Sequence, residues 1–121
     1  MSTLVAQTLS NGTVSTSTAN CIQGSAKAWV NFNGTGTIAI RGSYNVSSIT
    51  DNGTGDYTIN FTNALPDANY AAIVTAKRPG SGAEAPIMFT EVFTTGSVRI
   101  NNVQPGVSFY DSSIVNVSVF D

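Results

Sequence analysis

Residues 48–61, "SITDNGTGDYTINF", read as a strand, a tight turn and a second strand. In the second half Tyr57, Ile59 and Phe61 alternate with polar residues, which is typical of a strand with one buried face. The bend contains an Asn-Gly pair and a further glycine, which supply the positive φ values that a short hairpin requires. The stretch therefore predicts a β-hairpin that bends over residues 51–56.

The same bend has two functional interpretations beside the structural one. Asp51, Asn52 and Asp56 offer oxygen atoms of the kind that calcium prefers, or they form a ligand-binding tip. Their spacing departs from the EF-hand loop, and the closing bidentate glutamate of that loop is missing. The carboxylates can instead bond to amides of the turn. We therefore favour a turn that is independent of metal, and we expect no cofactor.

Further strands are predicted on both sides of this hairpin, separated by turn sequences such as "NGTG", "RPGSG" and "QPG". Valine and isoleucine far outnumber leucine, and glutamate and lysine are scarce, which favours strands over helices. About eight short strands at this spacing predict an all-β fold, an antiparallel β-sandwich of jelly-roll-like type. The predicted runs are 27–32, 37–40, 43–50, 56–62, 70–77, 86–94, 97–103 and 110–120.

The chain is predicted to divide into an arm, residues 1–24, and a sandwich domain, residues 25–121. The arm is rich in serine, threonine and asparagine, and its apolar residues are too sparse for a core strand. We expect it to be extended and to need a partner surface. Cys21, the single cysteine, has no partner for an intrachain disulfide, so it is either a small apolar side chain or half of an intermolecular pair.

Composition excludes several classes of function. The net charge is −2 with only five basic residues, which predicts no binding to nucleic acid and none to anionic bilayers. No apolar run is long enough to span a membrane, so we expect no membrane insertion. The first twenty residues lack the basic and apolar regions of a signal peptide, which predicts synthesis in the cytoplasm without export.

Catalysis is not expected. The chain has no histidine, which removes Ser-His-Asp and Cys-His mechanisms and the common zinc sites. The one acid-base arrangement left open is a glycosidase-like pair made by Glu84 and Glu91 across a hairpin or an oligomer axis. Glu84 lies in a Gly/Ala-rich loop and Glu91 reads as a solvent-facing strand residue, so we predict that the protein is not an enzyme.

Trp29 is on the unexpected face of its strand. In "KAWVNF" Ala28, Val30 and Phe32 point one way and the indole points the other. Trp29 is therefore either a ligand platform or a subunit contact. We place it at a subunit interface together with Cys21 and Ile22 of the arm, because burial against a neighbour would cover both the indole and the arm.

The block 21–70 resembles a segment that recurs in tail-fibre and other virion structural proteins of tailed bacteriophages. The most specific strings are "AWVNFNGTG" and "NVSSITDNGTGDYTINF". The resemblance implies a homotrimeric virion protein on the tail or capsid surface that acts as a fibre tip or host-recognition domain and contacts other virion proteins and a host glycan or protein. The alternatives are a capsid-decorating or assembly protein without a receptor, and a carbohydrate-active enzyme.

Receptor contacts are predicted in the half of the chain that follows the recurring segment. Binding residues favour loops held on a rigid scaffold. We expect host contact through turns and strand edges in residues 78–110. The candidate residues are Arg78, Glu84, Asn101, Asn102 and Tyr110.

Overall fold

The computed structural model describes residues 1–78, 85–106 and 108–121 and shows an all-β fold with one short helix. The expected all-β sandwich is confirmed. The elements are β1 (Thr8–Ser10), β2 (Ser15–Ser17), α1 (Thr18–Gly24), β3 (Ala28–Asn33), β4 (Ala39–Tyr44), β5 (Val46–Gly53), β6 (Asp56–Phe61), β7 (Ala71–Ala76), β8 (Ile87–Phe93), β9 (Ser97–Gln104), β10 (Ser108–Phe109) and β11 (Val115–Phe120).

Two antiparallel sheets form the sandwich. The four-stranded sheet has the order β4-β3-β11-β7, so the first and last strands of the domain are central neighbours. The five-stranded sheet has the order β10-β9-β6-β5, and β8 also pairs with β9. Antiparallel neighbours in the same sheet follow one another at β3–β4, β5–β6, β8–β9 and β9–β10, and the remaining connections between sandwich strands carry the chain from one sheet to the other.

Alternating side chains from both sheets fill the core. Phe32 and Tyr57 meet edge to face in its centre, with ring centroids 5.2 Å apart. Each large apolar side chain that is fully buried contributes roughly 1.5–3 kcal/mol. The other buried members are Ala28, Val30, Ile59, Phe61, Leu65, Tyr70, Val98, Ile100, Val115, Val117 and Val119.

The predicted strand 43–50 is two strands, which is a correction. Asn45 interrupts it with φ 54°, a conformation that asparagine tolerates better than most residues. Its Nδ2 donates to the carbonyls of Lys27 and Asn63, both at 3.1 Å, and its Oδ1 accepts from the Asn63 amide at 2.8 Å. The chain passes from the four-stranded to the five-stranded sheet at this residue.

The bend at 51–56 is the predicted hairpin turn. Gly53 and Gly55 have φ values of 139° and 65°. Asp51 accepts a hydrogen bond from the Gly53 amide at 3.0 Å, and Asp56 uses both carboxylate oxygens to bind Arg99. Both carboxylates are thus engaged within the protein, which favours the structural interpretation of the loop.

The arm is not extended, so that prediction is wrong. β1 and β2 form a small hairpin, and α1 follows it directly. The helix begins because the Ser17 side chain accepts a hydrogen bond from the Asn20 amide, which is typical of an N-cap. Thr18 also donates to the carbonyl of Ala6 at 2.8 Å, which fixes the helix against the start of the chain. None of the helix residues is buried.

Candidate functional site

The outer face of the four-stranded sheet carries two parallel rows of side chains, which we call the aromatic row and the amide row. Tyr44, Trp29, Ser118 and Ile73 are register partners across β4, β3, β11 and β7, and they form the aromatic row. The amide row lies two residues away along each strand. Its members, in the same strand order, are Gly42, Asn31, Asn116 and Thr75.

The aromatic row leaves three large side chains in contact with solvent. Trp29 is 42% exposed, Tyr44 59% and Ile73 57%. The six-membered ring of Trp29 lies against Gly42, where an added Cβ would come within 3.4 Å of the indole. Glycine at this position therefore lets the indole pack against the backbone of the edge strand β4.

The amide row is a continuous hydrogen-bonded chain. Asn31 Nδ2 donates to Asn116 Oδ1 at 2.5 Å, and Asn116 Nδ2 donates to Thr75 Oγ1 at 3.3 Å. Arg41 extends the chain, because its Nη1 is 3.4 Å from Asn31 Oδ1 and its Nη2 donates to the Ser113 carbonyl at 2.6 Å. These contacts hold the amides in fixed orientations. Each amide still has an N–H and an acceptor lone pair available to a ligand.

A second polar cluster closes one end of the sandwich. The Tyr57 hydroxyl donates to Asp111 Oδ1 at 2.6 Å and lies 3.0 Å from the Gly34 carbonyl. The Gly55 amide donates to the same carboxylate oxygen at 2.8 Å. Burial, together with the hydrogen bond to Asp111, raises the pKa of Tyr57 well above its usual range. The cluster ties three loops to the core, so its role is structural.

Asn101 and Asn102 do not lie in loops, which corrects the receptor-contact prediction. Both are in β9 and are buried, with exposures of 3% and 0%. Asn101 donates to Glu91 at 2.8 Å and Asn102 donates to Ser112 at 2.9 Å. The Asn-Asn pair reads as a polar loop in sequence, but pairing of β9 with β6 and β8 encloses it.

The other predicted receptor residues are dispersed. Tyr110 lies in the predicted loop region, just after β10, and is half-buried. Arg78 is exposed beyond the end of β7. Glu84 lies outside the described residues, so its prediction stays untested.

Cys21 and Ile22 lie in α1 of the arm, where Ile22 is 64% exposed and Cys21 is half-buried. They line a shallow surface cavity together with other residues of the arm. Trp29 lies on the outer face of the four-stranded sheet, and its place at a subunit interface stays a prediction. The remaining lining residues of the cavity are Leu4, Val5, Ala6, Leu9 and Thr18.

An ion-pair network lies on the outer face of the five-stranded sheet. Arg99 binds Asp56 through two hydrogen bonds, of 2.9 and 2.6 Å, and its Nε is 3.3 Å from Glu91. The Arg99 hydrogen bond is the main reason why the pKa of Asp56 lies below its usual value. Glu91 thus binds Arg99 and Asn101. Among the described residues, Asp56 is the other carboxylate that binds Arg99.

We expect the Asp56→Asn change to lower the free energy of unfolding by about 0.5–1 kcal/mol at neutral pH. The pKa of Asp56 is lower in the folded than in the unfolded protein, so its stabilisation is present above about pH 4 and is lost as the pH falls through the lowered pKa. Urea unfolding of both proteins across the acid range measures this. Asp121→Asn, at an exposed residue, is the control. If the wild type and Asp56→Asn still differ by the same free energy of unfolding at the lowest pH, the role given to Asp56 is contradicted.

Within residues 1–78, 85–106 and 108–121 there is no helix long and apolar enough to cross a bilayer. In the same ranges no three Cys, Asp or Glu residues come together as a metal-binding group. No family model, no curated protein and no solved structure matches the chain. The fold and the two surface rows therefore carry the functional interpretation.

Sequence reasoning identified Trp29 but missed the rest of the two rows. The alternation in 28–33 and 115–120 already places Asn31 and Asn116 on outward positions. What the alternation does not contain is the order of the strands. Only the pairing of β11 with β3 and β7 brings these amides next to each other.

Proposed function

We propose that the chain is a non-catalytic virion protein of a tailed bacteriophage that acts as a tail-fibre tip or host-recognition domain. The resemblance of residues 21–70 to phage tail and virion proteins supports this class. The observation that carries the adhesion role is the exposed aromatic row, Tyr44, Trp29 and Ile73, beside an ordered row of amides. Exposed aromatic side chains with nearby fixed polar groups are typical of binding surfaces.

The second candidate is a capsid-decorating or assembly protein that has no receptor. The favouring observation is the arm, because Leu4, Val5 and Val14 are 91%, 89% and 68% exposed. Such a segment fits a surface of another virion protein as well as it fits a second copy. In either case the protein is made in the host cytoplasm and is then incorporated into the particle.

An antibody raised against the chain separates the two candidates. For a fibre-tip protein, immunogold particles should lie at the distal tail of the phage that encodes the chain, and Fab fragments should block adsorption to its host. Label over the capsid with unchanged adsorption would favour the decorating protein. Release of reducing sugar from host polysaccharide by the purified chain would instead indicate an enzyme.

We propose a homotrimer assembled through the arm, with the three-fold order taken from the resemblance alone. Light scattering of the purified protein should give three times 12.6 kDa. Deletion of residues 1–24 should shift the mass to that of a monomer, because the exposed apolar residues of the arm lose their partner surface. A monomeric wild-type protein at micromolar concentration would end this part of the proposal.

A further inference from the structure

We propose that the outer face of the four-stranded sheet binds a neutral glycan chain, with Trp29 and Tyr44 stacking on sugar rings and the amide row binding their hydroxyl groups. This inference deepens the proposed host-recognition function and rests on it. Of the two interpretations of Trp29, a ligand platform or a subunit contact, it takes the first. The subunit contacts are then made by the arm.

The dimensions of the two rows suit an extended oligosaccharide. Neighbouring strands lie about 4.8 Å apart, so the aromatic row is roughly 14 Å long across its four strands. The amide row runs parallel to it, about 7 Å away, because the two rows are separated by two residues along each strand. A sugar ring placed on Trp29 would therefore direct the hydroxyls on one edge towards Asn31 and Asn116.

The chemistry of the rows matches the two surfaces of a pyranose. The face of a sugar ring carries C–H groups, which are attracted to the electron-rich face of an aromatic ring. Its rim carries hydroxyls, each a donor and an acceptor. Asn31, Asn116 and Thr75 offer both kinds of partner, and their mutual hydrogen bonds hold them in place before any ligand arrives.

Charge favours a neutral ligand. Among the side chains that the described strands place on this face, Arg41 alone is charged, and its guanidinium already binds Asn31 and the Ser113 carbonyl. An anionic polymer such as nucleic acid or an acidic polysaccharide would need several unoccupied cations. A polyhydroxyl chain without charge needs none.

The area of the face argues against a second copy of the chain as its occupant. Trp29, Tyr44 and Ile73, at their observed exposures, present on the order of 350 Å² of apolar surface. A stable protein interface buries about 800 Å² of total surface on each partner, of which about 450 Å² is non-polar, so these three side chains supply less apolar area than such an interface needs. The patch is of the size that a few sugar rings cover.

Trp29 is the single tryptophan of the chain, so the tryptophan fluorescence of the protein reports directly on binding at this face. The purified chain, residues 1–121, is titrated with neutral oligosaccharides of glucose, galactose, mannose, rhamnose and N-acetylglucosamine, and in parallel with uronic-acid-containing and sialylated ones. We expect at least one neutral series to shift the Trp29 emission saturably and the acidic series to do so at least tenfold more weakly.

Two variants and a matched control test the residues by calorimetry. Trp29→Ala should weaken binding at least tenfold, and Asn116→Ala, which keeps the indole, should weaken it about three- to tenfold. Phe89→Ala removes an aromatic side chain of similar exposure, 41%, from the outer face of the other sheet and should leave binding unchanged. Circular dichroism of each variant confirms that it is folded.

The contradicting results are equally definite. The inference is overturned if no neutral sugar binds, if acidic sugars bind equally well, or if Trp29→Ala binds as the wild type does. A fall in oligomer mass for Trp29→Ala would also overturn it, since Trp29 would then be a subunit contact. If the Trp29→Ala protein binds host cells as the wild type does, this inference fails while host recognition stands. If neither the wild type nor the variant binds host cells, host recognition itself fails.

Discussion

Gly55→Ala is expected to lower the free energy of unfolding by about 3–5 kcal/mol, a large part of the stability of a domain of this size. A Cβ at this position would lie 2.5 Å from the Asn102 carbonyl oxygen and within 2.8 Å of two backbone atoms of Tyr110. These are backbone atoms of neighbouring segments, so no side-chain rotation relieves the overlap. The φ of 65° adds strain for any residue with a Cβ.

Two other glycines distinguish the cost of steric overlap from the cost of backbone strain. Gly53 has φ 139° but nothing within 4 Å of the added Cβ, so Gly53→Ala should cost about 1–2 kcal/mol. Gly96 has neither constraint, and its replacement by alanine should change stability by less than about 1 kcal/mol. Urea unfolding of the three variants gives the order. Equal costs at Gly55 and Gly96 would show that the end loops do not pack as described.

Asp111→Ala is expected to cost about 2–3 kcal/mol, because it leaves the Gly55 amide and the Tyr57 hydroxyl without their shared acceptor. The buried Tyr57 hydroxyl keeps the Gly34 carbonyl as an acceptor at 3.0 Å, so most of the cost comes from the Gly55 amide. Thermal and urea unfolding measure the change.

Asp111→Asn is the matched variant. Its remaining carbonyl oxygen still accepts both hydrogen bonds, so it should cost less than half as much as the alanine change. A loss of the same size in both variants would mean that the charge of Asp111, rather than its acceptor oxygen, holds the end of the sandwich together. That result would contradict the acceptor role assigned to Asp111.

The sandwich was predictable because local patterns specify it. The hairpin 48–61 follows from alternation and from an Asn-Gly turn, and the same alternation correctly identifies the buried faces of β3 and β11. These signals are local because each side chain's face depends only on its own strand. The core residues of the central strands could therefore be read directly from the sequence.

Features that depend on contacts between distant segments were not predictable. The strand break at Asn45 depends on hydrogen bonds to Lys27 and Asn63, which lie 18 residues away on either side. The helix α1 is short, and the Thr18 hydroxyl at its start contacts the carbonyls of Ala6 and Gln7, which lie 12 and 11 residues earlier in the chain. The burial of Asn102 likewise requires strands and loops that are remote in sequence.

The candidate site shows the same division. The outward position of Trp29 is a local property, and the sequence contains it. The two rows arise only when β4, β3, β11 and β7 lie side by side, so the outward positions of Asn31 and Asn116 do not by themselves indicate a site. The turn composition of residues 78–110 predicted exposed loops, yet Asn101 and Asn102 within this range are buried.

Host recognition through the aromatic row is tested most directly by flow cytometry of bacterial cells. The fluorescently labelled chain, residues 1–121, and its Trp29→Ala and Phe89→Ala variants are incubated with strains that the proposed parent phage infects and with strains that it does not. We predict that the wild-type and Phe89→Ala proteins stain only the sensitive strains and that Trp29→Ala loses at least nine-tenths of the signal. Absence of staining on sensitive cells, or equal staining by all three proteins, would contradict the account.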